Sequence, residues 1–280
     1  LGQHVERLWH KETDLKGVDF VVLPGGFSYG DYLRSGAIAK FSPIMDEVIA
    51  HANKGGYVMG ICNGFQILTE SGLLPGALLH NNNQKFICKN VYLKPASKSA
   101  AITRGLEEKA YKIPIAHGEG RFYAPEDMLK SIEDNDQVIF RYSDELGNIE
   151  LEHNPNGALN NIAGITNSGK NVFGMMPHPE RASDPVIAAA LGEERPVTAI
   201  VLDDENPQQQ KPRQRRQRQG QQIACINRYQ HDHNDSEERQ NRDPQLPHAS
   251  PRMGRGKGLE RGDQFARFER GCIWAGRGLV

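Results

Sequence analysis

The sequence is poor in cysteine and tryptophan, with four Cys and two Trp in 280 residues and aromatics at 7%. The four cysteines (Cys62, Cys88, Cys225, Cys272) are too few for a disulfide framework, and no Cys-x-x-Cys pair has zinc-site spacing. No apolar run reaches the roughly 18 residues of a membrane span. The first twenty residues are charged and lack the apolar centre of a signal peptide. No P-loop or other ATP motif occurs. These absences argue against a stapled secreted module, a zinc domain, a membrane-spanning chain and a self-contained ATPase. A reducing compartment, the cytoplasm, is the expected location.

Charge is divided unevenly. Residues 1–204 hold 19 Lys+Arg against 26 Asp+Glu, a net of −7, and residues 205–280 hold 15 against 9, a net of +6. Arginine supplies 13 of the 15 basic residues in the second segment, and 12 of its 76 residues are Gln. Gln208 to Gln222 and Arg252 to Gly262 are biased tracts with little apolar area to offset ordering entropy, so the sequence predicts disorder there. The expected organisation is one domain over residues 1–200 and a low-complexity tail over 201–280, disordered or out of frame.

Within the first segment, Asp19 to Leu23 and Tyr57 to Ile61 read as buried strands. The first runs into the turn Pro24-Gly25-Gly26 and the second directly into Cys62. Helical spacing is expected over Asp31 to Phe41, from Ser42-Pro43 to Lys54-Gly55-Gly56, and from Asn63 to about Gly72. Strand, helix, strand, helix with short connections implies α/β architecture with a mostly parallel sheet flanked by helices. Phe86–Leu93, Lys112–Ala116, Val138–Tyr142, Ile162–Thr166 and Val172–Met176 add strands, the last two joined by the turn Asn167 to Asn171. Val186 to Leu191 suggests a short helix.

Gly60-Ile61-Cys62-Asn63-Gly64 lies where a strand becomes a helix, the context of a nucleophile elbow with Cys in place of Ser. The glycines permit the tight reversal, and the helix N-terminus favours thiolate over thiol. A buried structural cysteine is the plainer reading of the pentapeptide taken alone. A base is available in His178, whose backbone is fixed by Pro177 and Pro179, with Glu180 able to orient the ring. Backbone N–H groups of Gly26 and Asn63 are the candidate oxyanion donors.

Gly60-x-Cys62-x-Gly64-x-Gln66 and Pro177-His178-Pro179-Glu180 resemble the class I glutamine amidotransferases, the Cys-His-Glu glutaminases. Pro24 to Arg34, Cys62 to Leu68, Ala116-His117-Gly118-Glu119-Gly120 and Gly174 to Ala182 are similar to one subfamily, the glutaminase subunits of phosphoribosylformylglycinamidine synthase. The resemblance covers about residues 1–185. It implies a flavodoxin-like core and a triad of Cys62, His178 and Glu180 that converts glutamine to glutamate and ammonia through a thioester. It implies a glutamine pocket with Gln66, His117 and Glu119. It also implies no metal and no cofactor on this chain, with ATP and Mg on a large synthetase subunit and a small accessory subunit completing the complex. The family's first strand and helix precede the position of Leu1, so the sheet is expected to lack its first strand.

Alternatives are a glutaminase serving another synthetase, an inactive truncated regulatory homologue, and a related cysteine hydrolase or chaperone. The Phe27 to Arg34 stretch argues against the first, the intact Cys62, His178 and Glu180 against the second, and Asn63 in place of a His after the cysteine against the third. Arginines in the tail raise RNA binding, but only Tyr229, Phe265, Phe268 and Trp274 are available there for stacking.

Overall fold

The computed structural model describes residues 4–31, 33–183 and 222–227. The chain divides into two compact units, Leu1–His231 and Asp232–Val280, and every described residue lies in the first. The expected helix at Val186 to Leu191 and most of 201–280 lie outside the described residues.

The strands are β1 (His4–Trp9), β2 (Phe20–Leu23), β3 (Tyr57–Ile61), β4 (Ala77–Leu79), β5 (Ile87–Pro95), β6 (Tyr111–His117), β7 (Arg121–Tyr123), β8 (Val138–Ser143), β9 (Ile162–Thr166), β10 (Val172–Met175) and β11 (Gln222–Asn227). The helices are α1 (Ile44–Asn53), α2 (Asn63–Glu70) and α3 (Glu126–Asp134). Nine strands form one sheet in the order β1-β11-β2-β3-β10-β9-β8-β5-β6, and β4 with β7 forms a separate antiparallel pair. The pairings from β1 to β10 are parallel and those from β10 to β6 antiparallel, so the sheet is divided evenly between the two modes.

The parallel half follows from apolar runs. Val21, Leu23 and Val58 are buried, as expected of strands covered on both faces. Helix α2 packs on β3 and β10 through Phe65 and Leu68, both fully buried. Burying each contributes about 1.5–3 kcal/mol. A Cβ at Gly174 of β10 would lie 2.2 Å from the Phe65 ring, so the helix sits as close as it does because β10 presents a glycine beneath it. Among the described residues, no helix is long and apolar enough to cross a membrane.

Two expectations change. Asp31 to Phe41 is not an α-helix: only short 3-10 turns at Ser28–Asp31 and Ala39–Phe41 form, and Leu33 is 65% exposed. Gly30 and Gly36 take positive φ (69° and 83°), which breaks any helical run between them. The second change concerns the tail, where disorder was expected throughout. Gln222–Asn227 instead forms β11 inside the sheet, with Ile223 opposite Val5 on one side and Phe20 on the other. Ile223-Ala224-Cys225-Ile226 is an apolar, partly β-branched run within a polar segment. Parallel β1 and β2 flank it with backbone groups that a sheet interior must pair.

Since β11 is the ladder partner of β1 among the described residues, Ala224→Pro, which removes a central-strand N–H, is expected to expose β1. Amides of His4–Trp9 should lose hydrogen-exchange protection while β3 and β10 keep theirs. Unchanged protection of β1 would remove β11 from the sheet.

Candidate active site

The carboxyl ends of β2, β3 and β10 lie side by side in parallel. In α/β sheets this is where sites form. Pro24-Gly25-Gly26 follows β2, Cys62 follows β3, and His178 comes three residues after β10. These three sequence-predicted segments are therefore brought together by the topology.

Cys62 is held at φ 51°, ψ −105°, a left-handed conformation rare for a residue with a Cβ, and is buried. Strain of this kind costs about 1–3 kcal/mol and persists only where the surroundings over-determine it. They do so here. A Cβ on Gly64 would sit 1.9 Å from the Leu23 carbonyl, and one on Gly60 would sit 2.5 Å from the Gly64 backbone. Strand, elbow and helix are thus in backbone contact. Cys62 N–H continues the ladder to Met175 O at 2.8 Å, and the thiol points toward Ala116 O at 3.6 Å. Asn63 begins α2, so its amide belongs to the first helical turn, whose N–H groups have no intrahelical acceptor.

His178 is 2% exposed, its Nδ1 2.7 Å from Glu180 Oε1, and its N–H donates to Pro114 O of β6 at 2.9 Å. Nε2 is buried without a hydrogen-bond partner, and Cys62 is the largest influence raising the ring's pKa. Burial pushes the imidazolium pKa down, but hydrogen bonding to Cys62 and Glu180, together with their charge, outweighs it and raises the pKa to about 9. Gly25 lies against both groups: a Cβ there would be 2.8 Å from His178 Cε1 and 3.5 Å from Cys62 Cβ. Gly26 follows at φ 148°. Gly25 is the contact that sequence reasoning did not single out, although the doubled glycine after a strand was its signal.

The remaining predicted residues form a buried polar layer beside the elbow. Gln66 accepts from Asn63 Nδ2 at 2.8 Å and donates from Nε2 to Glu119 O at 2.6 Å. The Glu119 carboxylate accepts from Ser35 N–H at 2.9 Å and lies 3.2 Å from His80 Nε2. His117 is 3% exposed, and burial followed by repulsion from His178 lowers its pKa to about 3. Asn81 Nδ2 donates to Lys85 O and His117 O, so its Oδ1, 3.0 Å from His117 Nδ1, accepts from that nitrogen. His117 is then neutral with an unpartnered, acceptor Nε2. Asn81 carried no signal in the sequence, since an asparagine in Asn81-Asn82-Asn83 reads as a turn.

Outside this region, a groove of about 260 Å³ is lined by Lys89, Tyr92, Ser143, Asp144 and His153.

Residues 2–206 match a family described as the CobB/CobQ-like glutamine amidotransferase domain. The phosphoribosylformylglycinamidine synthase subunit PurQ of Synechocystis sp. is 58% identical over 193 residues, covering 69% of this chain and 86% of that protein. The PurQ subunit of Aquifex aeolicus is 54% identical over 193 residues, covering 69% and 85%. The solved structure of PurLQS from Thermotoga maritima has a chain 44% identical, with a TM-score of 0.53, over 62% of this chain and 74% of its own. The chain therefore belongs to the class I glutamine amidotransferases, in the group of PurQ subunits of phosphoribosylformylglycinamidine synthase.

Proposed function

We propose that the chain hydrolyses glutamine through Cys62, His178 and Glu180 and passes the ammonia to a synthetase subunit that makes formylglycinamidine ribonucleotide. The glutaminase machinery lies within residues 1–200. The observation that carries this reading is the buried line from the strained Cys62 through the His178 ring to Glu180.

Gly25 lies against both the His178 ring and Cys62, which places a base beside the thiol, and the thiolate is the nucleophile of such a pair. Thiolate Sγ attacks the side-chain amide carbon of glutamine, and the carbonyl oxygen gains negative charge. The N–H groups of Asn63 and Gly26 are assigned to that oxyanion. His178 gives its proton to the leaving nitrogen, ammonia departs, and a glutamyl thioester remains. Neutral His178 then takes a proton from water, which attacks the thioester to release glutamate and restore the thiolate. Glu180 fixes the ring through Nδ1, leaving Nε2 for these transfers. Gln66, Glu119 and His117 border the glutamine pocket, and the free Nε2 of His117 can accept a hydrogen bond there. The PurLQS relative supports a complex with a synthetase subunit; a small accessory subunit, and ATP and Mg on the synthetase, complete the proposal.

Cys62→Ala is expected to abolish glutamine-dependent activity of the reconstituted synthase, by more than about 10³-fold, and to leave ammonia-dependent synthesis intact. Loss of both at saturating ammonia counts against the assignment.

Folded His178 titrates above its ordinary 6.5, so its contribution to stability is complete below about 6.5 and is lost as pH rises through about 9. NMR should find the His178 ring charged at pH 7.5 with a midpoint near 9. In Cys62→Ala the midpoint should fall, because the largest group raising it is gone. A ring already neutral at pH 7.5 in the wild type would contradict the pairing.

Gly25→Ala places a methyl 2.8 Å from His178 Cε1. It should lower glutamine-dependent kcat by about 10²-fold or more, as small displacements of a catalytic group do, with far-UV circular dichroism unchanged. Wild-type turnover in this variant would show that Gly25 does not bound the site.

A further inference from the structure

We propose that Ser28 is a positioning residue of the glutaminase reaction, clamping with Arg34 the two ends of the nucleophile helix. This rests on the functional reading above and adds to it a pair of residues that touch neither the nucleophile nor its base.

Helix α2 is eight residues long, about two turns. Its apolar face is seated by Phe65 and Leu68. Apolar burial is non-directional, so this seat holds the helix down without fixing its rotation. Rotation decides where the Asn63 N–H and the Gln66 side chain point. Directional contacts are needed for that, and they come from the segment after β2. At the first turn, Asn63 Oδ1 accepts from Ser28 Oγ at 2.5 Å and from Ser28 N–H at 3.3 Å. Both residues are buried, Ser28 at 6% and Asn63 at 3% exposure. The other end of the same amide donates to Gln66, which is tied in turn to Glu119 O.

At the last turn, Arg34 donates from Nη2 to Glu70 Oε2 at 2.9 Å and from Nε to Oε1, a forked pair with a carboxylate that is 7% exposed. Between the two, the Gly36 backbone lies against the helix so closely that a Cβ, at φ 83°, would be 2.8 Å from Gln66 C and Ile67 N. Ser35 N–H meanwhile holds the Glu119 carboxylate. The inward polar atoms of Ser28, Arg34 and Ser35 are thus committed to α2 and to the loop after β6. The apolar side chains of Phe27 and Leu33 stand outward, 57% and 65% exposed, and add no burial to hold the segment. The arrangement spends directional bonds on orienting a helix that its hydrophobic face already anchors.

The test uses the complex of this chain with its synthetase, comparing glutamine-dependent with ammonium-chloride-dependent synthesis. Ser28→Ala is expected to lower glutamine-dependent kcat by about 10–100-fold, the loss typical of a small misplacement of reacting groups. KM should stay within about threefold, the ammonia-dependent rate should be unchanged, and alkylation of Cys62 by a glutamine analogue should slow in parallel. Ser28→Thr keeps the hydroxyl and should recover most of the loss. Arg34→Ala should move kcat in the same direction by a smaller factor. An unaltered kcat in Ser28→Ala overturns the proposal. So does an equal loss in the Ala and Thr variants that tracks a common fall in melting temperature, which would mark a merely structural bond. Cys62→Ala run alongside separates the two readings. Glutamine turnover retained there overturns the glutaminase assignment itself, whereas an inert Cys62→Ala beside a fully active Ser28→Ala overturns only the clamp.

Discussion

A cysteine in left-handed backbone conformation is unfavourable unless its neighbours leave it no alternative, and the site is organised around enforcing that conformation. Gly64 lies against the Leu23 carbonyl, Gly60 against Gly64, and the Cys62 N–H is committed to Met175. Strands β2, β3 and β10 therefore converge on one residue through backbone atoms alone. Backbone contacts at these distances tie the backbone of Cys62 to the sheet. The strain at Cys62 is offset by packing elsewhere, chiefly Phe65 and Leu68 under α2.

The two buried histidines show how much local partners matter once burial is common to both. Burial favours the neutral ring in each. His178 faces a thiol and a carboxylate, and its pKa rises to about 9 despite burial. His117 faces an amide oxygen and feels His178 as a like charge, and its pKa falls to about 3. Each shift reinforces the other's assignment. A charged His178 keeps His117 neutral, and a neutral His117 adds no repulsion to a charged His178. One imidazole can then supply a proton while the other offers only a lone pair.

What could be read from the sequence was whatever local chemistry encodes. The elbow is visible because its glycines and cysteine are adjacent, and β2, β3, β9 and β10 because their apolar runs are continuous. His178 is visible because prolines flank it. Less was legible where a segment's character depends on distant partners. β1 mixes charged and apolar residues without a clean alternation and pairs with β11, a segment more than 200 residues away. β11 itself is a four-residue apolar run submerged in a Gln- and Arg-rich average. The stretch from Asp31 to Phe41 shows helical spacing, yet two glycines at positive φ set its path and leave Leu33 in solvent. α3 is a short, mostly polar segment whose core-facing side rests on Leu129 and Ile132. For the site, the residues proposed to act were legible, while those that hold them were not. Asn81, Ser28 and Gly25 contribute through contacts that join loops far apart in the chain.

The same contrast separates the two halves of the sheet. The parallel half supplies Cys62, His178 and the Gly25 turn from three strand ends, and each depends on exact backbone height. The antiparallel half contributes mostly carbonyls: Pro114 O takes the His178 N–H, Ala116 O faces the thiol, and Glu119 O, just past β6, takes the Gln66 amide. Although β6 is the last strand in the sheet order, its Pro114 and Ala116 carbonyls reach His178 and Cys62. Carbonyl oxygens suit that wall because they accept hydrogen bonds without carrying charge. A carboxylate in the same place would hold a second imidazolium and compete with Cys62 for the proton on His178. A wall of backbone acceptors leaves Cys62 and Glu180 as the two side chains that raise the pKa of that ring.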